Sequence, residues 1–167
     1  IYYYEKPVYE SKVRSIPTIQ TEHRTQRIAL LNWTTKTSII MDKLCSYLPN
    51  QSELSTFVNK KSNKMKECEE FLSKKYPGIK ISINEIDLND LDRLDEIYPQ
   101  NFDSLLILSP GGNTIEEMDA YVISMLIRIR QILISKKDDE NNIIDSKDWP
   151  KLITEVMDSE NIDIILN

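Results

Sequence analysis

A polar turn that follows a short apolar run is the part of this sequence best suited to holding a small ligand. Thr34, Thr35 and Thr37 supply hydroxyl groups, and Lys36 supplies a positive charge. If a helix begins here, its free N–H groups and partial positive charge would add to them. The turn therefore predicts either a site for a phosphate or a carboxylate, or simply a helix cap made by a threonine hydroxyl, which is the commoner arrangement.

The same turn departs from the pattern that binds dinucleotides. That pattern, Gly-x-Gly-x-x-Gly, lets the backbone turn tightly and approach a pyrophosphate. Residues 32–37 contain no glycine, so their side chains should crowd a diphosphate. The acidic residue expected after the second strand is replaced by Asn59, which could still bond a hydroxyl group. We therefore expect no tight NAD binding. The candidate ligand-binding residues are Asn32, Trp33, Thr34, Thr35, Lys36, Thr37, Asn59, Asp87 and Ser109.

No other group of residues indicates catalysis or a metal ion. The one histidine, His23, lies in a polar linker, and there is no Gly-x-Ser-x-Gly sequence. The acidic residues of 87–96 fail the EF-hand pattern, so we interpret them as a solvated face with Asp87 as a helix cap. Cys45 and Cys68 occupy apolar-stripe positions and are expected to be buried, reduced thiols. We expect that the chain is not an enzyme.

Apolar segments of two kinds alternate along the chain. Short runs such as 28–31 are typical of strands buried on both faces of a parallel sheet. Between them, apolar residues recur at helical spacing, and Thr114 and Glu117 have capping-box spacing. The pattern predicts an α/β, Rossmann-like, doubly wound and mostly parallel sheet with helices on both faces. Ligands of such sheets bind at the carboxyl ends of strands where the strand order reverses, which would include the turn 32–37. The predicted strands are 28–31, 54–58, 79–86, 102–108 and 152–157, and the predicted helical regions include 40–48, 65–72, 91–97, 118–133 and 161–166.

Composition and the two ends of the sequence limit the classes of function. The 167 residues carry a formal net charge of −6, which argues against nucleic acid as a partner. No apolar run reaches the roughly 20 residues of a membrane span, and no signal peptide is evident. We expect residues 1–26 to be a tyrosine-rich arm or the tail of a preceding domain. Residues 27–167 are expected to be the domain, with a mobile charged segment at 135–147. Because the chain begins with Ile1, we expect it to be part of a larger protein, with the domain truncated at its C-terminal end.

Five stretches in order resemble the Castor/Pollux-type ion channel family. The segment 27–33 resembles an apolar strand that runs into Gly-Trp, with Asn32 in place of the glycine. Ser52-Glu53-Leu54 resembles Gly-Ser-Glu-Leu, with Gln51 in place of the glycine. The family's Phe-Asp-Ser-Ile-Leu-Ile-Leu strand is similar to the stretch 102–109. Its next helix, which has an Asp-rich start followed by Leu-Leu-Ile-Arg, is similar to 119–131, and its Glu-Ile-Leu-Asp-Ser-Glu-Asn segment is similar to 153–161.

The resemblance implies a domain of the RCK type (regulator of potassium conductance), a fold shared with TrkA-like transport subunits. Such domains lie on the cytoplasmic side of a membrane pore and assemble into a gating ring, whose ligands are often calcium or nucleotides. We therefore expect a regulatory domain of an ion channel or ion-transport protein that associates with copies of itself and with a neighbouring RCK domain. Calcium is a candidate ligand by resemblance only. The alternatives are a soluble Rossmann-type nucleotide-binding subunit and a degenerate NAD-dependent enzyme.

Overall fold

A computed structural model describes residues 24–112, 114–139 and 149–155. The strands are β1 (Arg27–Leu31), β2 (Glu53–Val58), β3 (Lys80–Glu85), β4 (Ser104–Ile107) and β5 (Lys151–Thr154). The α-helices are α1 (Thr37–Tyr47), α2 (Asn63–Lys75) and α3 (Ile115–Asp139), and two short 3₁₀ helices span Leu91–Ile97 and Pro99–Asn101.

The five strands form one sheet in the order β3-β2-β1-β4-β5, and every neighbouring pair is parallel. β1 lies at the centre, with β2 on one side and β4 on the other. The strand order runs outwards in both directions from the β1–β4 pair, as in a doubly wound sheet. The predicted Rossmann-like α/β fold is confirmed.

Both faces of the central strand are buried, which explains its continuous apolar run. Successive side chains of a strand point to opposite faces. Ile28 and Leu30 belong to a core that includes residues of α1 and α2, such as Met41, Cys45 and Leu72. Ala29 and Leu31 belong to a second core with residues of α3, such as Val122, Met125 and Ile129. Helices therefore cover both faces of the sheet, as the sequence predicts.

The connection after β3 contains the predicted helix, but its cap differs from the expectation. Leu91–Ile97 is a 3₁₀ helix, and its apolar residues are three apart, which matches three residues per turn. Its first turn is capped by Asp90, whose side chain accepts a hydrogen bond from the N–H of Asp92. Asp87 instead accepts a bond from the N–H of Asn89, ahead of the helix. The prediction that Asp87 is the helix cap is wrong, because the tighter helix begins later in the chain.

Helix α3 begins as predicted and ends later than predicted. The Thr114 hydroxyl accepts a hydrogen bond from the N–H of Glu117, which is the expected N-terminal cap. The helix continues to Asp139, so residues 135–139 of the charged segment are helical. Lysine has good helix propensity and is favourable near a helix C-terminus. Residues 140–147 of the charged segment, residues 1–23 of the arm, the end of the fifth predicted strand and the helix predicted at 161–166 lie outside the described residues.

No helix within the described ranges is long and apolar enough to cross a membrane. The longest, α3, is interrupted by charged residues such as Arg128 and Arg130.

Candidate functional site

The carboxyl ends of β1 and β4 meet at the centre of the sheet, where the strand order changes direction. Leu31 at the end of β1 is paired with Ile107 at the end of β4. Asn32 follows β1 directly, and Ser109 follows β4 by two residues. The structure therefore brings the two candidate residues to the edge at which doubly wound sheets hold ligands.

Asn32 occupies the position of the first glycine of the dinucleotide pattern and is held on three sides. Its φ is +78°, in the left-handed region that asparagine tolerates better than most residues. Its side-chain Nδ2 donates to the carbonyl oxygen of Leu108 at 2.9 Å, and its Oδ1 accepts from the Tyr121 hydroxyl at 3.1 Å. Its backbone N–H donates to the carbonyl oxygen of Phe57 at 3.0 Å. The residue is buried, so its amide links β1, the end of β4 and α3.

The Tyr121 hydroxyl remains a donor to this amide at neutral pH. Burial is the main influence on this group and raises its pKa above the ordinary tyrosine value, although the bond to Asn32 acts in the opposite direction. A protonated phenol donates one hydrogen bond, and Asn32 receives it. A glycine at position 32 would leave space for a dinucleotide. Here the Asn32 side chain and its hydrogen bond with Tyr121 occupy that space.

The threonine hydroxyls of the turn bond within the turn and do not cap α1. The Thr37 Oγ1 accepts from the N–H of Thr34 at 2.7 Å, and the Thr34 Oγ1 accepts from the N–H of Lys36 at 3.1 Å. The N-cap residue of α1 is Lys36, which makes no side-chain capping bond. The expectation of a simple threonine cap is therefore wrong. Helix α1 therefore begins without a side-chain cap for the N–H groups of its first turn, which have no intrahelical partners.

A cavity of about 230 Å³ lies beside this turn. Its walls are residues 34–36 of the turn, residues 109–111 after β4, Met118 of α3 and Glu155 after β5. The Lys36 Nζ and the Glu155 Oε1 are 3.5 Å apart. Ser109 is only 5% exposed, and its Oγ has no hydrogen-bond partner within the described residues. The cavity thus has a cation and a carboxylate on its wall, and the Ser109 Oγ is itself buried from solvent.

A second cavity of about 620 Å³ lies on the other side of Thr34 and Thr35, between the starts of α1 and α2. Trp33 lines it and also packs against the core under α1 and α2, as expected of a packing residue. Both thiols are free, and Cys45 is buried as predicted. Cys68 lies on the wall of this cavity and is half-buried, so the prediction of a buried thiol is wrong there. Burial raises the pKa of Cys45 to about 11, so this thiol is protonated and unreactive at neutral pH.

The other two candidate residues serve the chain itself. Asn59 follows β2 as expected, but its Oδ1 accepts from the N–H of Leu88 at 2.6 Å. That bond fixes the segment after β3 where a ribose hydroxyl would otherwise be bound. Asp87 lies in the same segment and accepts from Asn89. Neither faces the cavity beside Lys36, and the ranges that the structure describes hold no group of three metal-ligating side chains.

Three residues of the site were missed by the sequence analysis. Tyr121 and Met118 come from the first turns of α3, and Glu155 comes directly after β5. Glu155 carried a usable signal, because residues that follow any parallel strand lie at the same edge of the sheet. The signal for Tyr121 was weaker, since a half-buried tyrosine on a helix is ordinarily a packing residue.

Comparison with known proteins adds little to this picture. No protein-family model matches the chain, and no curated protein matches it. Among solved structures, a short-chain dehydrogenase from Oenococcus oeni PSU-1 is similar, with a TM-score of 0.46 and 10% sequence identity. The match covers 84% of this chain and 66% of the dehydrogenase, so this chain spans just under two-thirds of that protein's length. The parallel register and strand order define the Rossmann-like fold independently of that match.

Proposed function

We propose that this domain is a non-catalytic regulatory module of the RCK type, part of an ion channel or ion-transport protein, which acts by self-association and by sensing a ligand. The observation that supports it best is the filled glycine position at Asn32. A sheet of the dinucleotide-binding type whose central crevice is closed by its own amide and phenol is poorly suited to hydride transfer. The resemblance of five ordered sequence stretches to Castor/Pollux-type channels supplies the channel context.

The channel context makes a prediction about the gene. The reading frame that encodes this chain should also encode pore-forming membrane helices and a further Rossmann-like unit. Sequencing the transcript on both sides of the segment tests this. A complete reading frame without membrane segments would contradict the channel role and would favour the alternative, a soluble ligand-binding subunit.

The outer face of α3 supports the self-association part of the proposal. Five exposed positions at helical spacing carry no charge: Ala120, Ser124, Ile127, Gln131 and Ile134. Ile127 and Ile134 lie two turns apart, and each is nearly half exposed. An uncharged stripe of this length is unusual in a chain with 29% charged residues, because solvated helix faces normally carry charge. A second copy of the same helix, related by a twofold axis, would cover it.

We expect the isolated chain to have a mass above the 19.5 kDa of one chain at high concentration. Light scattering across a dilution series measures this. Replacing Ile127→Glu places a charge in the stripe and should return the mass to that of one chain, whereas Phe71→Glu, at a still more exposed apolar residue of α2, should not. A one-chain mass for the unaltered protein at every concentration, or equal loss of association in both variants, would contradict association through α3.

A further inference from the structure

We propose that the carboxylate of Glu69 closes the open edge of the sheet and so prevents two copies of this chain from pairing through β3. The inference goes beyond the proposed function, because it concerns an edge of the sheet and neither the crevice nor α3. The contacts that support it join three parts of the chain, which are the strand β3, the residue Lys61 after β2, and the helix α2.

Strand β3 lies at an edge of the five-stranded sheet and pairs with β2. Lys80 at its start and Ile86 just after its end donate their N–H groups towards β2. Because the N–H groups of a strand point alternately to its two sides, those of Ile81, Ile83 and Glu85 point away from the sheet. An outward row of this kind is a template for pairing with another strand.

Glu69 of α2 binds the middle group of this row. Its Oε1 accepts a hydrogen bond from the Ile83 N–H at 2.9 Å, and its Oε2 forms an ion pair with the Lys61 Nζ. Only 23% of the Glu69 side chain and 21% of the Lys61 side chain are exposed, so water competes for these contacts less than at an open surface. The carboxylate therefore stands where a neighbouring strand would place its carbonyl oxygen.

Lys61 also holds the end of the strand. Its N–H donates to the Oε2 of Glu85, the last residue of β3, at 3.0 Å. Lys61 lies in the connection between β2 and α2, directly before Ser62, which caps α2. Lys61, Glu69 and Glu85, here termed the edge clasp, thus bind β3 both at its middle and at its end.

The sequence of β3 does not by itself prevent pairing. The strand, Lys80–Glu85, contains no proline, and its register with β2 is continuous, so it has no bulge that would bend it away. Antiparallel pairing of two copies joins outward positions, for example Ile81 of one copy with Ile83 of the other. No like charges face each other in that register. Protection of this edge therefore depends on a side chain from another element, and Glu69 supplies it.

The edge clasp limits how copies of the chain assemble. Association through α3 joins two copies about a twofold axis and is then complete. A second contact, through β3, would join each such pair to further copies, so that growth would no longer stop at two chains. This consequence rests on the proposed self-association, whereas closure of the edge does not.

Amide hydrogen exchange of the full 167-residue chain, followed by NMR at low protein concentration, tests the bond that closes the edge. Glu69→Ala should speed the exchange of the Ile83 amide about tenfold, as expected for loss of a charge-assisted hydrogen bond. Glu70→Ala, at the exposed neighbouring residue of α2, is the matched control and should leave that rate unchanged. Glu69→Gln keeps an acceptor oxygen and should behave like the unaltered chain.

Light scattering across a dilution series tests the consequence for pairing. Ile127→Glu is present throughout, so that α3 does not contribute. Adding Glu69→Ala should raise the mass from one chain to two at high concentration, and the amides of Ile81 and Glu85 should then exchange about tenfold more slowly, since a second copy binds them. If this variant does not fold, Lys61→Met, which removes only the cation, should show the effects more weakly, about threefold in exchange.

The outcomes separate this inference from the proposed function. Unchanged exchange at Ile83 in Glu69→Ala, an equal effect of Glu70→Ala, or a one-chain mass despite faster exchange would each overturn the role of Glu69 and leave association through α3 standing. Equal masses for the unaltered chain and for Ile127→Glu would contradict association through α3. A gain of mass on Glu69→Ala would still support the closed edge in that case.

Discussion

Replacing Asn32 by alanine should lower the free energy of unfolding by about 3–4 kcal/mol. The substitution leaves the Leu108 carbonyl and the Tyr121 hydroxyl without the partners that they have at 2.9 Å and 3.1 Å. Each such loss in a buried place costs about 1–1.5 kcal/mol, and alanine adds roughly 1 kcal/mol because it disfavours the left-handed backbone. Urea unfolding followed by circular dichroism measures the difference.

Asn32→Gly separates the backbone contribution from that of the side chain. Glycine adopts the φ of +78° without steric strain but loses the same two hydrogen bonds. We expect a loss smaller than that of alanine by about 1 kcal/mol, the cost of a side chain in the left-handed region. If alanine and glycine were equally damaging, backbone strain would play no part, and if glycine were harmless, the amide contacts would contribute nothing.

Gln51 offers the matched control, because it has a φ of +71° on the surface. Its N–H donates to the carbonyl oxygen of Gly78, a bond that any residue keeps. Gln51→Gly should raise the free energy of unfolding by about 0.5–1 kcal/mol, since strain is relieved and no buried side-chain bond is lost. Replacement by glycine should therefore lower the free energy of unfolding at Asn32 and raise it at Gln51.

Most of the fold follows from patterns that are local in the sequence. The run 28–31 is apolar at every position, because a central strand meets helices on both faces, and this alone separates it from a half-exposed strand. Alternation of such runs with helical spacing predicts parallel pairing, since parallel strands need a crossover. The strand order also follows once the Rossmann-like pattern is recognised. The error at Asp87 arose because the helix begins only at Leu91, so that Asp90, directly before it, is the cap.

The sequence predicts where the site lies in the fold, but not which side chains interact there. The turn 32–37 could be assigned to the carboxyl end of β1, but the partners of its side chains come from far along the chain. Asn32 bonds Tyr121, which is 89 residues away, and Lys36 contacts Glu155, which is 119 residues away. Such pairs join segments that are far apart in the chain, so no pattern within the turn shows them. Only Glu155 had a signal of its own, since it follows a parallel strand and therefore lies at the same edge of the sheet. The same holds for Ser109, whose missing partner is visible only when its neighbours are known.

Replacing either Leu30 or Leu31 by alanine should lower the free energy of unfolding by about 3–5 kcal/mol, and by similar amounts for the two. Both side chains are fully buried, but they point to opposite faces of β1. Leu30 packs in the core under α1 and α2, and Leu31 packs in the core under α3. Urea unfolding of each variant measures the loss. Since the whole domain is stabilised by only about 5–15 kcal/mol, Leu30→Val and Leu31→Val serve as milder versions if an alanine variant does not fold.

The comparison of the two leucines tests the layer structure directly. Ile153→Ala on β5 is the control: its side chain is 51% exposed, so it should lose less than about 1 kcal/mol of stability. A loss at Leu30 far larger than at Leu31 would mean that α3 does not cover the sheet in solution. That result would also remove the basis for the Asn32–Tyr121 contact, because Tyr121 reaches the crevice only when α3 lies on this face. Equal losses would support both the doubly wound fold and the closed crevice on which the regulatory proposal depends.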